Sequence, residues 1–192
     1  MIIDLSVPIE NEMPFYPGDP QPRLREIKIK DYIVHELLIG THTGTHVDVP
    51  YHFILEGKRL DQIPLERFMG KAYVTDSVDH AEPAEILLVY TGTSKKWRKG
   101  WKMEDGYTTL SLKDAEKIVK KGYKMVGIDS PSVGDTDVHN LLLRNEVLIV
   151  ENLSQALEKL VGAFVYFHAL PLNIVGVDGS PVRAIAIVQG ME

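Results

Sequence analysis

One eleven-residue stretch, residues 42–52, constrains this chain more than any other part of its sequence. It reads HTGTHVDVPYH, and its even-numbered positions hold three imidazoles and a carboxylate, while its odd-numbered positions are β-branched or aromatic. Alternate residues of extended backbone point to opposite faces, so the pattern predicts a strand with one face on the core and a polar face toward a cavity. Gly44 and Pro50 argue against a helix here.

The reach of a strand decides which of these side chains can share a metal ion. His46 and Asp48 are two residues apart, roughly 6.5 to 7 Å along a strand, so both can bind one ion. In straight chain His42 would start roughly 13 Å from His46, so the backbone must bend between them, and Gly44 permits a bend. His52 need not be a ligand, because a histidine beside a metal also suits general acid or base catalysis.

Composition narrows the choice of metal and of partners. Cysteine is absent, so a metal would be bound through nitrogen and oxygen, and zinc suits a non-redox hydrolase better than manganese or iron(II). The net charge of −6 and the scattered basic residues argue against nucleic acid as a partner. The N-terminus lacks a signal-peptide pattern and no apolar run has the length of a bilayer span, which predicts a cytoplasmic protein with no membrane contact.

The predicted elements indicate an α/β fold with a mixed sheet, in a single domain over residues 1–192, because strands outnumber helices. Strands are predicted over residues 2–7, 23–29, 32–39, 72–76, 86–90, 125–128, 147–150, 163–168 and 183–188. Helices are predicted over residues 112–121 with Ser111 as N-cap, from a cap at Thr136 or Asp137 to about Arg144, and over 155–160, with one or two helical turns within 61–68.

Several polar residues outside the stretch sit where they can contribute to a site. His139 falls in the first turn of the second predicted helix, and Glu151 ends a buried strand, but the sequence itself gives no reason to join them. Asp129 and Ser130 either line a pocket or cap the neighbouring turn. For residues 178 and 183 an ion pair across their turn is favoured over a contact of the arginine with a substrate carboxylate.

The stretch 42–52 resembles the signature H-x-G-T-H-x-D-x-P-x-H of the cyclase family of metal-dependent hydrolases, which includes the bacterial kynurenine formamidases. Every fixed position of the signature is present. Similar segments extend the resemblance across nearly the whole chain: DLS at 4–6, YPGD at 16–19, GIDSPS at 127–132 and DGSPVR at 178–183.

The resemblance implies a swivelling β/β/α fold, a homodimer or larger oligomer, and two divalent metal ions, zinc or else manganese. One ion would be held by residues 42, 46 and 48, and Asp48 would bridge to a second ion held by residues 139 and 151. The implied metal ligands are therefore His42, His46, Asp48, His139 and Glu151. His52 would be the catalytic proton shuttle.

The resemblance also implies an arylformamidase that hydrolyses N-formyl-L-kynurenine to L-kynurenine and formate in tryptophan breakdown. Metal-bound hydroxide would attack the formyl carbon, and His52 would deliver a proton to the leaving amine. The formamidases have a tryptophan against the aromatic substrate where this chain has Tyr16, so Tyr16 is the implied substrate contact. One alternative is the same chemistry on a cyclic amide, imide or lactone. Another, of a different class, is a metal-binding protein without catalysis.

Overall fold

A nine-stranded mixed sheet forms the centre of the protein. The structure is a computed structural model that describes residues 1–188, so the last four residues of the predicted domain 1–192 lie outside the described residues. The strands are β1 (Ile2–Asp4), β2 (Arg23–Ile29), β3 (Tyr32–Leu38), β4 (His46–Asp48), β5 (Met69–Thr75), β6 (Ile86–Val89), β7 (Met125–Ile128), β8 (Leu148–Glu151), β9 (Phe164–His168), β10 (Gly179–Pro181) and β11 (Ile185–Ile187). The α-helices are α1 (Leu112–Lys121) and α2 (Thr136–Arg144).

The order of strands in the large sheet is β1-β11-β9-β5-β6-β7-β8-β4-β10. Strands β5 to β8 run parallel, and the other neighbouring pairs are antiparallel. The prediction of a mixed α/β protein is therefore confirmed. Strands β6, β7 and β8 are buried throughout, as expected for parallel strands that are covered on both faces.

Two apolar clusters cover the two faces of the sheet. On one face Ile118 of α1 and Leu142 of α2 pack over the inner strands, and both side chains are fully buried. On the other face Leu5, Phe68 and Phe167 lie in a cluster that also contains Val47 and Val49 of the histidine-rich stretch. The odd-numbered valines thus face the core, as their parity predicted.

The helices begin and end close to the predicted positions. Helix α1 has the predicted bounds, and Ser111 and Asp114 each accept the other's backbone N–H in a complete capping box. Helix α2 differs at its start, because its N-cap is Asp135 and not Thr136 or Asp137. The Asp135 backbone is extended, and its carboxylate accepts the first free N–H groups of the helix, whereas Thr136 is already helical.

Some predicted strands and turns have other bounds. Strand β1 ends at Asp4, because the chain then leaves β11: Ser6 bridges to Leu153, and the N–H of Val7 donates to the hydroxyl of Thr45. Strand β11 is likewise shorter than its predicted range. Residues 60–62, 65–68 and 155–160 form 3₁₀ turns. None of the helices within residues 1–188 is long and apolar enough to cross a membrane.

Strands β2 and β3 form a separate antiparallel hairpin. Asn11 ties the hairpin to the preceding loop through two hydrogen bonds with the backbone of Leu24. Four large apolar side chains of β3 are each more than half exposed: Tyr32, Ile33, Leu37 and Leu38. The hairpin therefore presents apolar surface that the described part of the chain does not cover.

Candidate metal centre

The histidine-rich stretch is a short strand between two turns. Only residues 46–48 form a strand, followed by the extended Val49, so the prediction of one strand over the whole stretch was wrong. Gly44 adopts a left-handed backbone conformation with φ of 64°, which turns His42 back toward the strand and confirms the predicted bend. After the strand, Pro50 opens a 3₁₀ turn that carries His52, because proline suits the first position of a helical turn.

Strand β4 lies between β8 and β10, and this pairing brings distant residues together. His46 is directly opposite Glu151 of β8, and Asp48 is opposite Gly179 of β10. Side chains directly opposite one another in an antiparallel pair share a face of the sheet. Glu151 therefore lies on the face that carries His46 and Asp48.

The distances among these three side chains suit metal ligands better than hydrogen bonds. His46 Nε2 lies 3.3 Å from Asp48 Oδ1 and 3.4 Å from Glu151 Oε2, and all three residues are buried. Charge-assisted hydrogen bonds are shorter, at about 2.7 to 2.9 Å. Ligands about 2.0 to 2.2 Å from one ion stand about 3.3 Å apart at tetrahedral angles. Asp48 Oδ2 is buried without a hydrogen-bond partner, so these donors fit a divalent cation.

Backbone carbonyls orient two of the imidazoles toward this cluster. His46 Nδ1 lies 2.8 Å from the carbonyl of Gly44, and His139 Nδ1 lies 2.9 Å from the carbonyl of Asp135. A ring whose Nδ1–H donates to a carbonyl has Nε2 free as a ligand, and metal-binding histidines are commonly held in this way. His139 Nε2 is 3.3 Å from Glu151 Oε1, so α2 and β8 do bring these two predicted ligands together.

His42 and His52 share a carboxylate that the sequence did not assign to the site. His42 Nδ1 is 2.8 Å from Asp48 Oδ1, and His42 Nε2 is 2.8 Å from Asp178 Oδ2. His52 Nδ1 is 3.1 Å from the same oxygen of Asp178. The favoured ion pair between Asp178 and Arg183 was therefore wrong.

Strand pairing explains that difference. Strand β10 runs beside β4, so Asp178 lies against the histidines, whereas Arg183 lies beyond the strand at the surface and pairs with Asp4. The sequence held one signal that Asp178 belongs to the site, namely its position in one of the segments that resemble the family. The sequence spacing of five residues pointed instead to the wrong partner.

The structure thus gathers all the predicted ligands and His52 into one cluster. Among residues 1–188, two groups of three donors have atoms within 4.8 Å of one another, and Asp48 belongs to both. One group adds His42 and His52, and the other adds His46 and Glu151. His46 Nε2 thus lies near Glu151 and also near Asp48 Oδ1, the oxygen that His42 contacts, and His52 lies among possible ligands.

Opposite charges hold this cluster together. Burial favours neutral imidazoles, but the carboxylates of Asp48 and Asp178 outweigh it and raise the pKa of His42 to about 11. Burial is likewise outweighed at His46, where Asp48 and Glu151 raise the pKa to about 9. Although burial alone would raise the pKa of Asp48, the two cationic rings hold it well below its usual range. The carboxylates thus favour positive charge at this point of the fold.

A cavity of about 600 Å³ opens onto the cluster. Its wall includes the proline-rich loop with Phe15 and Tyr16, and Phe53 stacks on His139 with ring centroids 4.5 Å apart. Burial, with the nearby hydroxyl of Tyr16, raises the pKa of Tyr107 to about 12. Tyr16 lines the cavity, and it is the residue for which a substrate contact was predicted. Further residues of the lining are Pro14, Met103, Ser132, Thr136 and Asn152.

Asp129 caps a turn, which was one of the two roles predicted for it. Its carboxylate accepts the backbone N–H groups of Thr91 and Gly92 and the hydroxyl of Ser94. It therefore caps the turn after β6 and does not line the cavity. Ser130 is fully buried and donates its hydroxyl to the carbonyl of Thr108.

Comparison with known proteins decides the family. The Cyclase family model, described as "Putative cyclase", matches residues 3–135. The chain belongs to this family. An uncharacterized protein of Methanocaldococcus jannaschii is 42% identical over 194 residues, covering 97% of this chain and 99% of that protein. A kynurenine formamidase of Bacillus mycoides is 30% identical over 205 residues, covering 95% of each chain. The resemblance of the histidine-rich stretch is thereby confirmed.

Solved structures show that the fold is also that of the cyclase family. A potential metal-dependent hydrolase with cyclase activity matches with a TM-score of 0.79 and 24% identity, over 97% of this chain and 96% of that chain. An isatin hydrolase bound to the product analogue thioisatinate matches with a TM-score of 0.84 and 20% identity, over 97% and 92% of the two chains. This cyclase-family protein is a metal-dependent hydrolase, and its His, Asp and Glu side chains form groups that can bind a metal.

Proposed function

We propose that this protein hydrolyses the amide bond of aryl formamides, and that its substrate is N-formyl-L-kynurenine, which yields L-kynurenine and formate. The observation that carries the proposal is the cluster of histidines and carboxylates at the end of a cavity with aromatic walls. The kynurenine formamidase relative, aligned over 95% of the chain, supports the choice of a formamide.

The proposed cofactor is a pair of divalent metal ions, zinc or else manganese. The residues that would hold them are His42, His46, Asp48, His139 and Glu151. The orphaned Asp48 Oδ2 and the nitrogen and oxygen donors fit such ions. When bound, a divalent ion lowers the pKa of water toward neutrality and polarises the carbonyl oxygen of a substrate.

His52 carries the proton in this proposal. Its Nδ1 faces Asp178, so Nε2 is the nitrogen available to exchange protons. During hydrolysis water adds to the formyl carbon, the carbon–nitrogen bond breaks, and the leaving nitrogen needs a proton. His52 takes the proton of the attacking water and delivers it to that nitrogen. Such a proton transfer typically contributes about 10²- to 10⁴-fold to the rate.

The walls of the cavity support recognition of an aromatic ring. Phe15, Tyr16 and Phe53 line it, and aromatic rings pack favourably in offset or edge-to-face arrangements. Within residues 1–188 the lining has no lysine or arginine, whereas Asp19 supplies a carboxylate. The Asp19 carboxylate can pair with the ammonium group of N-formyl-L-kynurenine.

A second candidate function is hydrolysis of a cyclic amide, imide or lactone. The same donor cluster suits attack on the carbonyl of a ring, and a cavity of about 600 Å³ has room for a fused bicyclic compound. The third possibility is metal binding without catalysis. It gives no role to His52, which lines the cavity where it can exchange protons with a bound molecule.

Turnover by metal-loaded protein tests the proposal. Protein treated with a chelator and reloaded with zinc or manganese is offered N-formyl-L-kynurenine, formanilide and phthalimide. We expect kcat/KM for N-formyl-L-kynurenine in the enzymatic range, about 10⁴ M⁻¹s⁻¹ or more, and loss of activity on chelation. Preference for phthalimide would support the second function instead. No hydrolysis of any of the three compounds by fully loaded protein would contradict both enzymatic proposals.

His52→Ala separates catalysis from metal binding. We expect this variant to keep its bound metal and to lose about 10²- to 10⁴-fold in kcat. A metal content equal to that of the wild type, with unchanged turnover, would refute the shuttle.

We also propose that the protein is a homodimer in which hairpin β2–β3 is part of the interface. An isolated two-stranded hairpin is at best marginally stable in water, and this one exposes four large apolar side chains of β3. A second copy would cover that surface.

A further inference from the structure

Asp178 contacts two of the histidines of the cluster, and the proposed function uses only its contact with His52. It directly precedes β10, and its carbonyl accepts the N–H of Val49, so its backbone is tied to the end of the histidine-rich strand. A Cβ on the next residue, Gly179, would lie 2.7 Å from the carbonyl oxygen of Val47 and 3.0 Å from His42 Cε1. Only glycine therefore lets this segment approach the histidines so closely.

Three hydrogen bonds fix the carboxylate of Asp178. Its Oδ1 accepts the hydroxyl of Thr41 at 3.0 Å. Its Oδ2 lies 2.8 Å from His42 Nε2 and 3.1 Å from His52 Nδ1. The two rings lie side by side with centroids 4.0 Å apart and planes inclined by 34°. One carboxylate oxygen thus links an imidazole assigned to the metal with the imidazole assigned to the proton.

We propose that Asp178 is a positioning residue that fixes the orientation and tautomer of both His42 and His52. This inference rests on the proposed function, because it assigns those histidines to metal binding and proton transfer.

The contact with His52 determines which of its nitrogens can act on substrate. When Nδ1–H donates to Asp178, the lone pair of Nε2 is free to accept a proton. A carboxylate that holds a catalytic imidazole in one tautomer has the same role in Ser-His-Asp triads, where its conversion to an amide lowers kcat by about 10⁴-fold. Without Asp178 the His52 ring can turn or change tautomer, and then it presents the wrong nitrogen.

The contact with His42 has a corresponding effect on metal binding. With Nε2 donating to Asp178, Nδ1 is the nitrogen left to bind a metal, which would replace its 2.8 Å contact with Asp48 Oδ1. Loss of such an outer carboxylate typically lowers metal affinity by about 10- to 100-fold. Arg183, the alternative partner of Asp178, is engaged with Asp4 and does not compete for this carboxylate.

Asp178→Asn is the variant that tests the inference. We expect kcat to fall by about 10²- to 10⁴-fold with KM changed less than about threefold, because the ring is misplaced while the cavity is intact. Zinc affinity, measured by competition with a chelating dye, should fall by about 10- to 100-fold. The matched control is Asp61→Asn, which removes a carboxylate that holds the same loop through the N–H of Gly176 but touches neither histidine. It should retain wild-type kcat and zinc affinity.

A double-mutant cycle distinguishes action through His52 from a general structural role. In a His52→Ala background, Asp178→Asn should cost less than about tenfold in kcat, because the ring that it positions is gone. An equal loss of kcat in both backgrounds would overturn the positioning of His52. A zinc affinity unchanged in Asp178→Asn would overturn the positioning of His42.

The tautomer of His52 provides a test that needs no folded variant and no substrate. In zinc-loaded wild-type protein, ¹⁵N NMR should show His52 protonated at Nδ1 and bare at Nε2. The opposite tautomer would contradict the inference even if Asp178→Asn fails to fold. If the protein hydrolyses none of the compounds tested, the NMR and zinc-affinity results still decide the role of Asp178, so the two proposals fail separately.

Discussion

Asp48 is the side chain that the two groups of possible metal ligands share. It is fully buried, it belongs to both groups of possible ligands, and one of its oxygens has no hydrogen-bond partner. A buried carboxylate of this kind is costly without a compensating cation. Metal content therefore depends more on Asp48 than on any single histidine.

Asp48→Asn is expected to weaken the binding of both proposed metal ions. The amide keeps the shape of the side chain but cannot bridge two cations as a carboxylate does, so zinc affinity should fall at least about 10²-fold. Metal per chain is measured by atomic absorption after dialysis against a weak chelator. Asp19→Asn, which changes a carboxylate of the same cavity that is not among the proposed ligands, is the control and should keep its metal. Equal metal content in the two variants would contradict the assignment of Asp48.

Metal uptake is expected to release protons and to strengthen with pH. In metal-free protein the pKa values of His42 and His46 are raised to about 11 and about 9. At pH 7.5 both rings are therefore cationic, each with one proton more than neutral imidazole. A metal ion binds only neutral imidazole, and it must displace those protons. Zinc affinity should therefore rise between pH 6 and pH 9, by about tenfold per pH unit for each proton released. Calorimetry in two buffers of different ionisation enthalpy counts the protons, and a count of zero would contradict the prediction.

The type and the local position of the proposed ligands followed from the sequence, but their arrangement did not. The bend at Gly44 followed from the reach of a strand, and the structure has it. The role of Asp178 did not follow, because its contacts with His42 and His52 arise from strand pairing across more than 120 residues of chain. Nearness in sequence had favoured Arg183 as its partner.

Helix α2 both holds His139 and orients it. The Asp135 side chain caps the helix, while the Asp135 carbonyl accepts from the His139 ring. Helix α1 has a comparable cap at Ser111, on an element that carries no ligand. The two caps thus form a natural pair for separating stability from function.

Asp135→Ala and Ser111→Ala are expected to have equal effects on stability and unequal effects on metal binding. Each removes an N-cap, which typically lowers the free energy of unfolding by about 1 kcal/mol. Only Asp135→Ala loosens the turn that orients His139, so only this variant should lose zinc affinity, by several-fold. Urea denaturation and dye competition measure the two quantities. Equal zinc affinities would show that the cap has no influence on the ligand.

Local sequence patterns predicted most elements, but they could not predict the order of the strands in the sheet. The capping signals of α1 and the apolar runs of β6 to β8 are local, and the structure has them close to the predicted positions. Glu151 and His139 were each placed correctly on their elements, but the meeting of Glu151 with His46 depends on β8 pairing with β4. That pairing is antiparallel and long-range, so no local pattern could reveal it.

The exposed apolar side chains of hairpin β2–β3 predict that the whole molecule is a dimer. Ile33→Glu combined with Leu37→Glu places two charges on one face of β3 and should convert the proposed dimer to a monomer, since burying unpaired charge is costly. Analytical ultracentrifugation should give twice the chain mass of 21.6 kDa for the wild type and a single chain mass for the variant. Leu55→Glu, at an exposed apolar residue in a turn elsewhere, is the control. A wild type that sediments as a monomer would contradict the dimer.

Because β8, β4 and β10 pair across distant parts of the chain, a protein cut into two fragments would carry part of the centre on each fragment. The proposed ligands come from residues 42–48 and 139–151, and Asp178, which positions two of the histidines, follows later in the chain. A cut in the turn after α1, at Gly122, would leave the first group of ligands on one fragment and the second group, with Asp178, on the other. Neither fragment alone would hold the complete set of ligands. Recovery of tight zinc binding when the two fragments are mixed would therefore report their reassembly directly, without any substrate.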